Sequence, residues 1–168
     1  MEYQDICGAS PATTLRLTKF WAGLGRTVIA DSWFGSCNTA EWLMDTHGLY
    51  CIMSVKNGSS GYPKAAMKAA LAGVRHRSVF YGVDVHLECG VRAFFAGGHQ
   101  DKKPLHLIAS CGTSLPGESH TRYRRDMVDG TIVRQQYTLE QPNMHSIYRS
   151  QFNAVDLFNR EALGPLSV

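Results

Sequence analysis

The alternation of helix and strand signals over residues 10–56 is the feature that most constrains the fold. Residues 27–30 (TVIA) form a short unbroken apolar run, which predicts a fully buried strand of a parallel or mixed sheet. Ser36 or Asn38 can cap the helix that follows, and residues 50–55 (YCIMSV) predict a second buried strand. The order helix, strand, helix, strand is typical of a layered α/β fold.

The segment before this unit predicts a strand and a helix. Residues 2–7 alternate like a strand, and Pro11 after Ser10 suits a first helical turn. The apolar side chains that follow have helical spacing, and Gly25 would end that helix. This helix-like apolar stripe comprises Leu15, Leu17, Phe20, Trp21 and Leu24.

After residue 61 the pattern becomes rich in strands. The predicted elements are an alanine-rich helix over 64–71, strands over 78–87, 91–96 and 105–110, a basic loop over 112–130, a strand over 131–139 and a helix over 147–163. We predict one domain spanning 1–168. Residues 1–60 and 131–165 would form its α/β core, and residues 61–130, approximately, a β-rich insertion with a loop.

Composition limits the classes of protein that the chain can represent. Its 168 residues, 44% hydrophobic and 18% charged, are typical of one globular domain. No apolar run approaches the roughly 18 residues of a membrane span. Five widely spaced cysteines outside any CxxC pair predict reduced thiols in an intracellular compartment. The net charge of +3 neither requires nor excludes a nucleic-acid partner.

Two aspartates are candidate metal ligands. Asp31 follows the predicted strand 27–30, and the carboxyl ends of such strands favour ligand and metal sites. Asp156 lies among apolar residues of the last predicted helix, where a carboxylate needs a cation or hydrogen bonds to stay charged. The alternatives are a turn or capping role for Asp31 and an exposed polar stripe for Asp156. If both are ligands, their carboxylates should meet across the end of the sheet.

Two basic clusters could contact phosphates. Arg75 and Arg77 form the first, and the second, around Tyr123, comprises Arg122, Arg124 and Arg125. Arginine forks beside an aromatic ring suit a nucleic-acid backbone. The alternative is a solvated loop, since acidic residues dilute the second cluster.

These motifs together resemble one family. Residues 28–36 (VIADSWFGS) look like the "DNxFTS" strand end of piggyBac-type transposases, and residues 48–56 (GLYCIMSVK) followed by 61–63 (GYP) continue the match. Residues 153–159 (NAVDLFN) look like the family's "GGVDxxD" segment, and residues 2–8 (EYQDICG) resemble the strand before its first crossover helix. The similarity spans nearly the whole chain in the family's order.

The resemblance implies a partial RNase H-like mixed sheet, flanked by helices and carrying the β-rich insertion. It also implies the remnant of a cut-and-paste DNA transposase, in which three aspartates hold two Mg²⁺ or Mn²⁺ ions for phosphoryl transfer. Asp31 matches the second of these aspartates and Asp156 the third. The implied partner is DNA at transposon ends, the implied location is the nucleus, and no membrane is involved.

The departures from the family pattern predict an inactive domain. The first catalytic aspartate lies on a strand upstream of residue 1, Ser32 replaces the motif asparagine, and Asn159 replaces the second acid of the late motif. Two carboxylates supply fewer ligands than two cations require, so metal binding would be weak or absent. The sheet would also keep an exposed edge. The alternatives are a domesticated module that binds DNA or protein without catalysis, and a partial gene product without a cellular role.

Overall fold

The computed structural model describes residues 2–56, 58–73, 78–87, 90–100 and 103–152. The helices are α1 (Gln4–Cys7), α2 (Ala9–Thr18), α3 (Cys37–His47), α4 (Lys64–Leu71) and α5, described over residues 143–152, and a single 3-10 turn spans Lys19–Trp21. The strands are β1 (Thr27–Ala30), β2 (Tyr50–Ser54), β3 (Ser78–Leu87), β4 (Gly90–Gln100), β5 (Pro104–Ala109), β6 (His120–Val128) and β7 (Thr131–Leu139). No helix within these ranges is long and apolar enough to cross a membrane.

Five strands form one mixed sheet in the order β1-β2-β5-β4-β3. The pair β1–β2 is parallel, because α3 carries the chain back between them, and the other pairs are antiparallel. The strands β6 and β7 form a separate hairpin. The fold is therefore mixed α/β, with helices flanking the sheet as in a partial RNase H-like fold, and the predicted fold class is confirmed.

Helices cover both faces of this sheet. Successive residues of β2 point to opposite faces, so Cys51 and Met53 pack in one apolar cluster and Ile52 in the other. The first cluster includes side chains from α2, α3 and α4, and the second includes Met144 and Tyr148 of α5. Because both faces are covered, β2 is apolar throughout its centre, as the sequence predicts.

The start of α3 follows the capping rule. The Ser36 side chain accepts a hydrogen bond from the Thr39 backbone N–H at 2.9 Å, and Gly48 ends the helix in the left-handed conformation at φ 60°. The predicted cap is confirmed for Ser36, whereas Asn38 lies inside the helix and donates to the Cys7 carbonyl.

The glycine pair at 97–98 interrupts the sequence pattern but not the strand. The sequence predicts a strand that ends at Ala96, whereas β4 continues to Gln100. A Cβ on Gly97 would lie 3.1 Å from the His145 ring, and one on Gly98 would overlap the Met67 sulfur on the opposite face. Glycine is present here because helices approach the sheet backbone closely from both sides.

The predicted N-terminal strand is wrong. Residues 4–7 form α1, whose first turn is closed by hydrogen bonds from the Cys7 and Gly8 N–H groups to the Tyr3 and Gln4 carbonyls. An alternation over six residues is too short to specify a strand without a partner, and a sheet position for residues 2–7 is not observed.

The full burial predicted for β1 is also wrong, and the helix predicted to reach Gly25 ends earlier. Among the described strands only β2 pairs with β1, so β1 is an edge strand whose residues are partly exposed. Leu15 is fully buried, but the other stripe members are exposed. Leu17 lies within α2, and the rest follow it, since α2 ends at Thr18 and not near Gly25. The exposed members are Leu17, Phe20, Trp21 and Leu24.

Residues 120–128 form a strand where a loop was predicted. Asp129 and Gly130 take φ values of 49° and 75°, and two left-handed central residues define the tight turn between paired strands. An Asp-Gly pair is a strong hairpin signal, so this strand was predictable. The predicted strand 131–139 is confirmed as β7.

The main sheet also contains part of the predicted insertion. The strands β3, β4 and β5 pair directly with the β1–β2 unit through β5. The division of the chain near residues 60 and 131 stays a prediction. The helix predicted over 147–163 begins earlier, at residue 143, and its later part lies outside the described residues.

Candidate functional site

The carboxyl ends of β1 and β2 form one edge of the sheet. Their parallel register pairs Ala30 with Met53, so Asp31 lies beside Ser54, where β2 ends. The structure therefore places Asp31 where the sequence predicts, directly after a strand at an edge that favours ligand sites. We call the residues that follow these two strands, Asp31–Ser36 and Val55–Lys56, the strand-end site.

A tight turn orients the Asp31 carboxylate. Its Oδ1 accepts the Trp33 backbone N–H at 2.9 Å, and its carbonyl accepts the Phe34 and Gly35 N–H groups at 3.2 and 2.8 Å. A Cβ on Gly35 would overlap the Ser54 carbonyl oxygen, so the turn presses against the end of β2. The turn role considered for Asp31 is thus present, and within the described ranges its side-chain hydrogen bonding engages only Oδ1.

Trp33 and Lys56 lie side by side at this site. The Lys56 ammonium lies 4.8 Å from the centroid of the Trp33 ring, which is a cation–π contact. Trp33 is nevertheless 70% exposed. The Ser10 hydroxyl donates to the Trp33 carbonyl at 3.0 Å and so connects the start of α2 to the turn.

Further basic side chains extend the same edge. The Val55 N–H donates to the His106 carbonyl at 2.9 Å, which places the start of β5 beside the end of β2. A cavity of about 490 Å³ opens there between α4 and the sheet, lined in part by Lys64, Lys68 and His106. Burial lowers the pKa of His106, so the lysines supply the positive charge of this cavity near neutral pH.

The buried thiols are poor candidates for chemistry. Burial raises the pKa of Cys37 to about 11 and that of Cys51 to about 12. Because the thiolate is the nucleophile and the metal ligand, these two groups are unreactive near neutral pH.

The metal-ligating set predicted from the sequence is only partly visible. The Asp31 carboxylate is a hard oxygen donor of the kind that Mg²⁺ and Mn²⁺ prefer. In the part of the chain that the structure describes, no group of three or more His, Cys, Asp or Glu side chains could hold a metal ion. Asp156 lies outside the described residues, so its approach to Asp31 stays a prediction.

The second basic cluster lies on the β6–β7 hairpin. Arg125 is exposed and pairs in register with Arg134 of β7, and the Arg134 guanidinium lies 3.9 Å from the Tyr123 ring centroid. The backbone of Arg122 and Arg124 belongs to β6, whereas their side chains lie outside the described part of the structure. Arg75 and Arg77 also lie outside it.

Sequence reasoning missed Trp33, Lys56 and Arg134. Trp33 was within a quoted motif, but nothing in the sequence indicated that its ring is exposed. Lys56 approaches Trp33 only because β1 pairs with β2, and Arg134 approaches Tyr123 only because β6 pairs with β7. The Asp-Gly turn signal was the one available clue to Arg134.

One of the comparisons with known proteins found a match. A family model described as Transposase IS4 matches residues 3–163. No curated protein and no solved structure matches the chain. The matched region includes the strand-end site, the whole five-stranded sheet and the hairpin. The chain therefore belongs to the Transposase IS4 family.

Proposed function

We propose that the chain is a domain derived from a piggyBac-type cut-and-paste DNA transposase, with the strand-end site as the remnant of its catalytic centre. The position of Asp31 carries the proposal, because a half-buried carboxylate, held by a turn at the ends of two parallel strands, is suited to bind a hard divalent cation. Membership of a transposase family supports DNA as the substrate class.

In this proposal Asp31 and Asp156 are the catalytic and metal-binding residues. A bound Mg²⁺ or Mn²⁺ ion would lower the pKa of an attacking water or hydroxyl and stabilise the leaving oxygen of a phosphodiester. The chain's own residues have two further tasks. The Trp33 N–H holds the Asp31 carboxylate in place, and the lysines of α4 attract the phosphate backbone to the same edge.

We also propose that this 168-residue chain does not cleave DNA by itself. Two carboxylates do not neutralise two adjacent divalent cations, and Ser32 and Asn159 replace motif residues that the resemblance expects. We therefore expect weak metal binding and no DNA strand cleavage by the chain alone. The same proposal includes the division of the chain into a core (1–60 and 131–165) and an insertion (61–130). It also includes a nuclear location and transposon DNA ends as the partner.

Paramagnetic line broadening by Mn²⁺ tests the metal site. In ¹H–¹⁵N spectra of the full chain, low Mn²⁺ should selectively broaden the amide signals of residues 31–36 and should not do so in Asp31→Asn. Asparagine can still accept the Trp33 N–H, so this variant removes the charge and keeps the turn. Mg²⁺ in excess should restore the broadened signals.

The exposed Asp84 of β3 provides a matched control, since Asp84→Asn removes the same charge elsewhere on the sheet. Broadening that is equal in the wild type and Asp31→Asn, or absent near residue 31, would contradict the metal site. Broadening that persists in Asp156→Asn would remove Asp156 from the ligand set.

A second function is favoured by the hairpin. The exposed Arg125, together with Arg134 over Tyr123, forms a basic and aromatic surface suited to a nucleic-acid backbone. The domain would then act as a non-catalytic DNA-binding module, with protein binding as the alternative use of the surface. This function does not depend on Asp31.

Salt-dependent binding of duplex DNA separates the two functions. Replacing Arg122, Arg124 and Arg125 by glutamine should weaken binding and reduce the slope of log K against log salt by about one for each arginine–phosphate pair that the substitution removes. The control is Arg92→Gln, an exposed arginine on β4 of the main sheet. Affinity that is unchanged by the triple substitution would exclude the hairpin as the DNA surface.

A further inference from the structure

Trp33 is an unusual residue to expose beside a candidate catalytic carboxylate. It is 70% exposed, and its backbone N–H is bound by Asp31 Oδ1 at 2.9 Å. A large apolar ring at a protein surface has a favourable free energy of burial that this fold leaves unused.

The backbone that carries this ring is held from three sides. The Asp31 side chain accepts from its N–H, the Ser10 hydroxyl donates to its carbonyl, and Gly35 packs the turn against the end of β2. A ring on such a turn loses little backbone entropy when it binds a planar group.

A lysine contacts the ring, while the Asp31 carboxylate binds the backbone N–H of the same residue. The Lys56 ammonium contacts the Trp33 ring at 4.8 Å, and the exposed fraction of Trp33 leaves room for a second planar group. Trp33 offers a ring for stacking, and Lys56 offers one cation. A nucleotide has the complementary groups, one aromatic base and one anionic phosphate. A duplex conceals the faces of its bases, so the matching ligand is an unpaired nucleotide.

We infer that Trp33 and Lys56 bind an unpaired nucleotide next to Asp31, with the base stacked on the indole ring and its phosphate beside the ammonium. This inference rests on the proposed function, since it takes DNA as the ligand, and it adds a specific contact to it. Single-stranded or locally opened DNA would thereby be held with a phosphodiester near the Asp31 carboxylate.

Binding of a fluorescein-labelled oligothymidine to the full chain in EDTA tests the inference without any metal. Trp33→Ala should weaken the affinity about 5- to 150-fold, the range for removal of one base–aromatic stack, and Trp33→Phe should weaken it less because a ring remains. Lys56→Gln should weaken it and reduce the salt slope by about one. Trp21→Ala and Lys19→Gln are matched controls that should leave the affinity unchanged.

Tryptophan emission supplies a readout that a purely structural role of Trp33 would not change. The oligonucleotide should quench the emission of the wild type, and the quenching should disappear in Trp33→Phe and remain in Trp21→Phe. Thermal melting of each variant shows whether it is folded, and Trp33→Phe keeps the test valid if Trp33→Ala does not fold.

Affinity and quenching that are unchanged in Trp33→Phe and Lys56→Gln would overturn the inference, as would a wild type that does not bind the oligonucleotide. Neither result affects the Mn²⁺ experiment, so the proposed metal site is judged separately. An equal fall in affinity in the Trp33 and Trp21 variants would also overturn it, because the effect would not be local to Trp33.

Discussion

The β1–β2 unit and the β6–β7 hairpin carry the two candidate surfaces and differ in how the protein holds them. The centre of β2 is fully buried between helices, and Gly35 presses the strand-end turn against its last residue. In the hairpin, residues 131–136 of β7 are all exposed, and the strands are joined by the Asp129-Gly130 turn. Packing positions Asp31 and Trp33, whereas pairing and local turn chemistry position Arg125 and Arg134.

The two surfaces should therefore respond differently to perturbation. A site held by packing should lose its geometry together with the stability of the whole domain. A hairpin with little burial should open locally, without unfolding the sheet. Acid and single substitutions can test this contrast.

Acid should weaken the packed region through His145 of α5. This side chain is fully buried among His99, Phe80 and Met144, and burial, with the nearby charges of His99 and Arg149, lowers its pKa to about 3. In the unfolded chain its pKa is about 6.5, so the unfolded state takes up the proton first as the pH falls. The stability that depends on neutral His145 is therefore fully present above about pH 6.5, and it is lost progressively as the pH falls to about 3.

The variant His145→Leu should remove this dependence. The difference in unfolding free energy between the variant and the wild type should favour the variant by about 3 kcal/mol more at pH 4 than at pH 7. Urea unfolding at both pH values measures this difference. Replacing a buried ring whose two nitrogens lack described hydrogen-bond partners should cost little at pH 7. Equal pH dependence in the two proteins would show that another group controls acid unfolding.

Gly35→Ala should destabilise the β1–β2 unit by about 2 kcal/mol, because its Cβ would meet backbone rather than a movable side chain. Chemical denaturation measures this destabilisation. Gly82→Ala on β3 is the matched control: a Cβ there meets open space, and we expect a change below about 0.5 kcal/mol. Equal effects of the two substitutions would contradict the packed turn.

Gly130→Ala should lower the local stability of the hairpin by about 1 kcal/mol, because alanine disfavours the φ of 75° at this turn position. Amide hydrogen exchange should accelerate in β6 and β7 and stay unchanged in β2. Gly130→Asn should restore most of the protection, because asparagine tolerates the left-handed conformation. Acceleration that extends to β2 would mean that the hairpin and the sheet unfold together.

Tyr123→Leu should have the smallest effect, about 0.5 kcal/mol of local hairpin stability, as expected when an exposed cation–π interaction with Arg134 is removed. Hydrogen exchange at β6 measures it, and the melting temperature should not change. A shift in melting would show that the hairpin contributes to global stability.

Local signals predicted much of the fold correctly. The cap at Ser36, the stop at Gly48 and the apolar run of β2 each express a preference of a few neighbouring residues, and each element forms close to its predicted bounds. Several predictions failed where a neighbour distant in sequence decides, whereas β6 was missed although its local Asp129-Gly130 signal was available. Gly97 and Gly98 resemble a turn until two helices are packed on the strand, and the exposure of Leu17 and Phe20 cannot be inferred from their helical spacing.

The candidate site likewise contains one residue that the sequence predicts and others that only strand pairing brings close. Asp31 could be predicted because its position depends only on the strand before it. Its companions could not: Lys56 lies beside Trp33 only because β1 and β2 pair in parallel, and the lysines of α4 reach the same edge only because β5 is inserted next to β2.

Sequence signals alone were sufficient for most of the helices and strands between β1 and β5, for β7 and for the carboxylate after β1, but not for α1 or β6. The tertiary structure alone decided which strand lies at the edge, which aromatic ring is exposed and which cations share the edge with Asp31. The reason is physical: caps, turns and apolar periodicity act within a few residues, whereas strand order and burial are settled by the packing of segments that are distant in the chain.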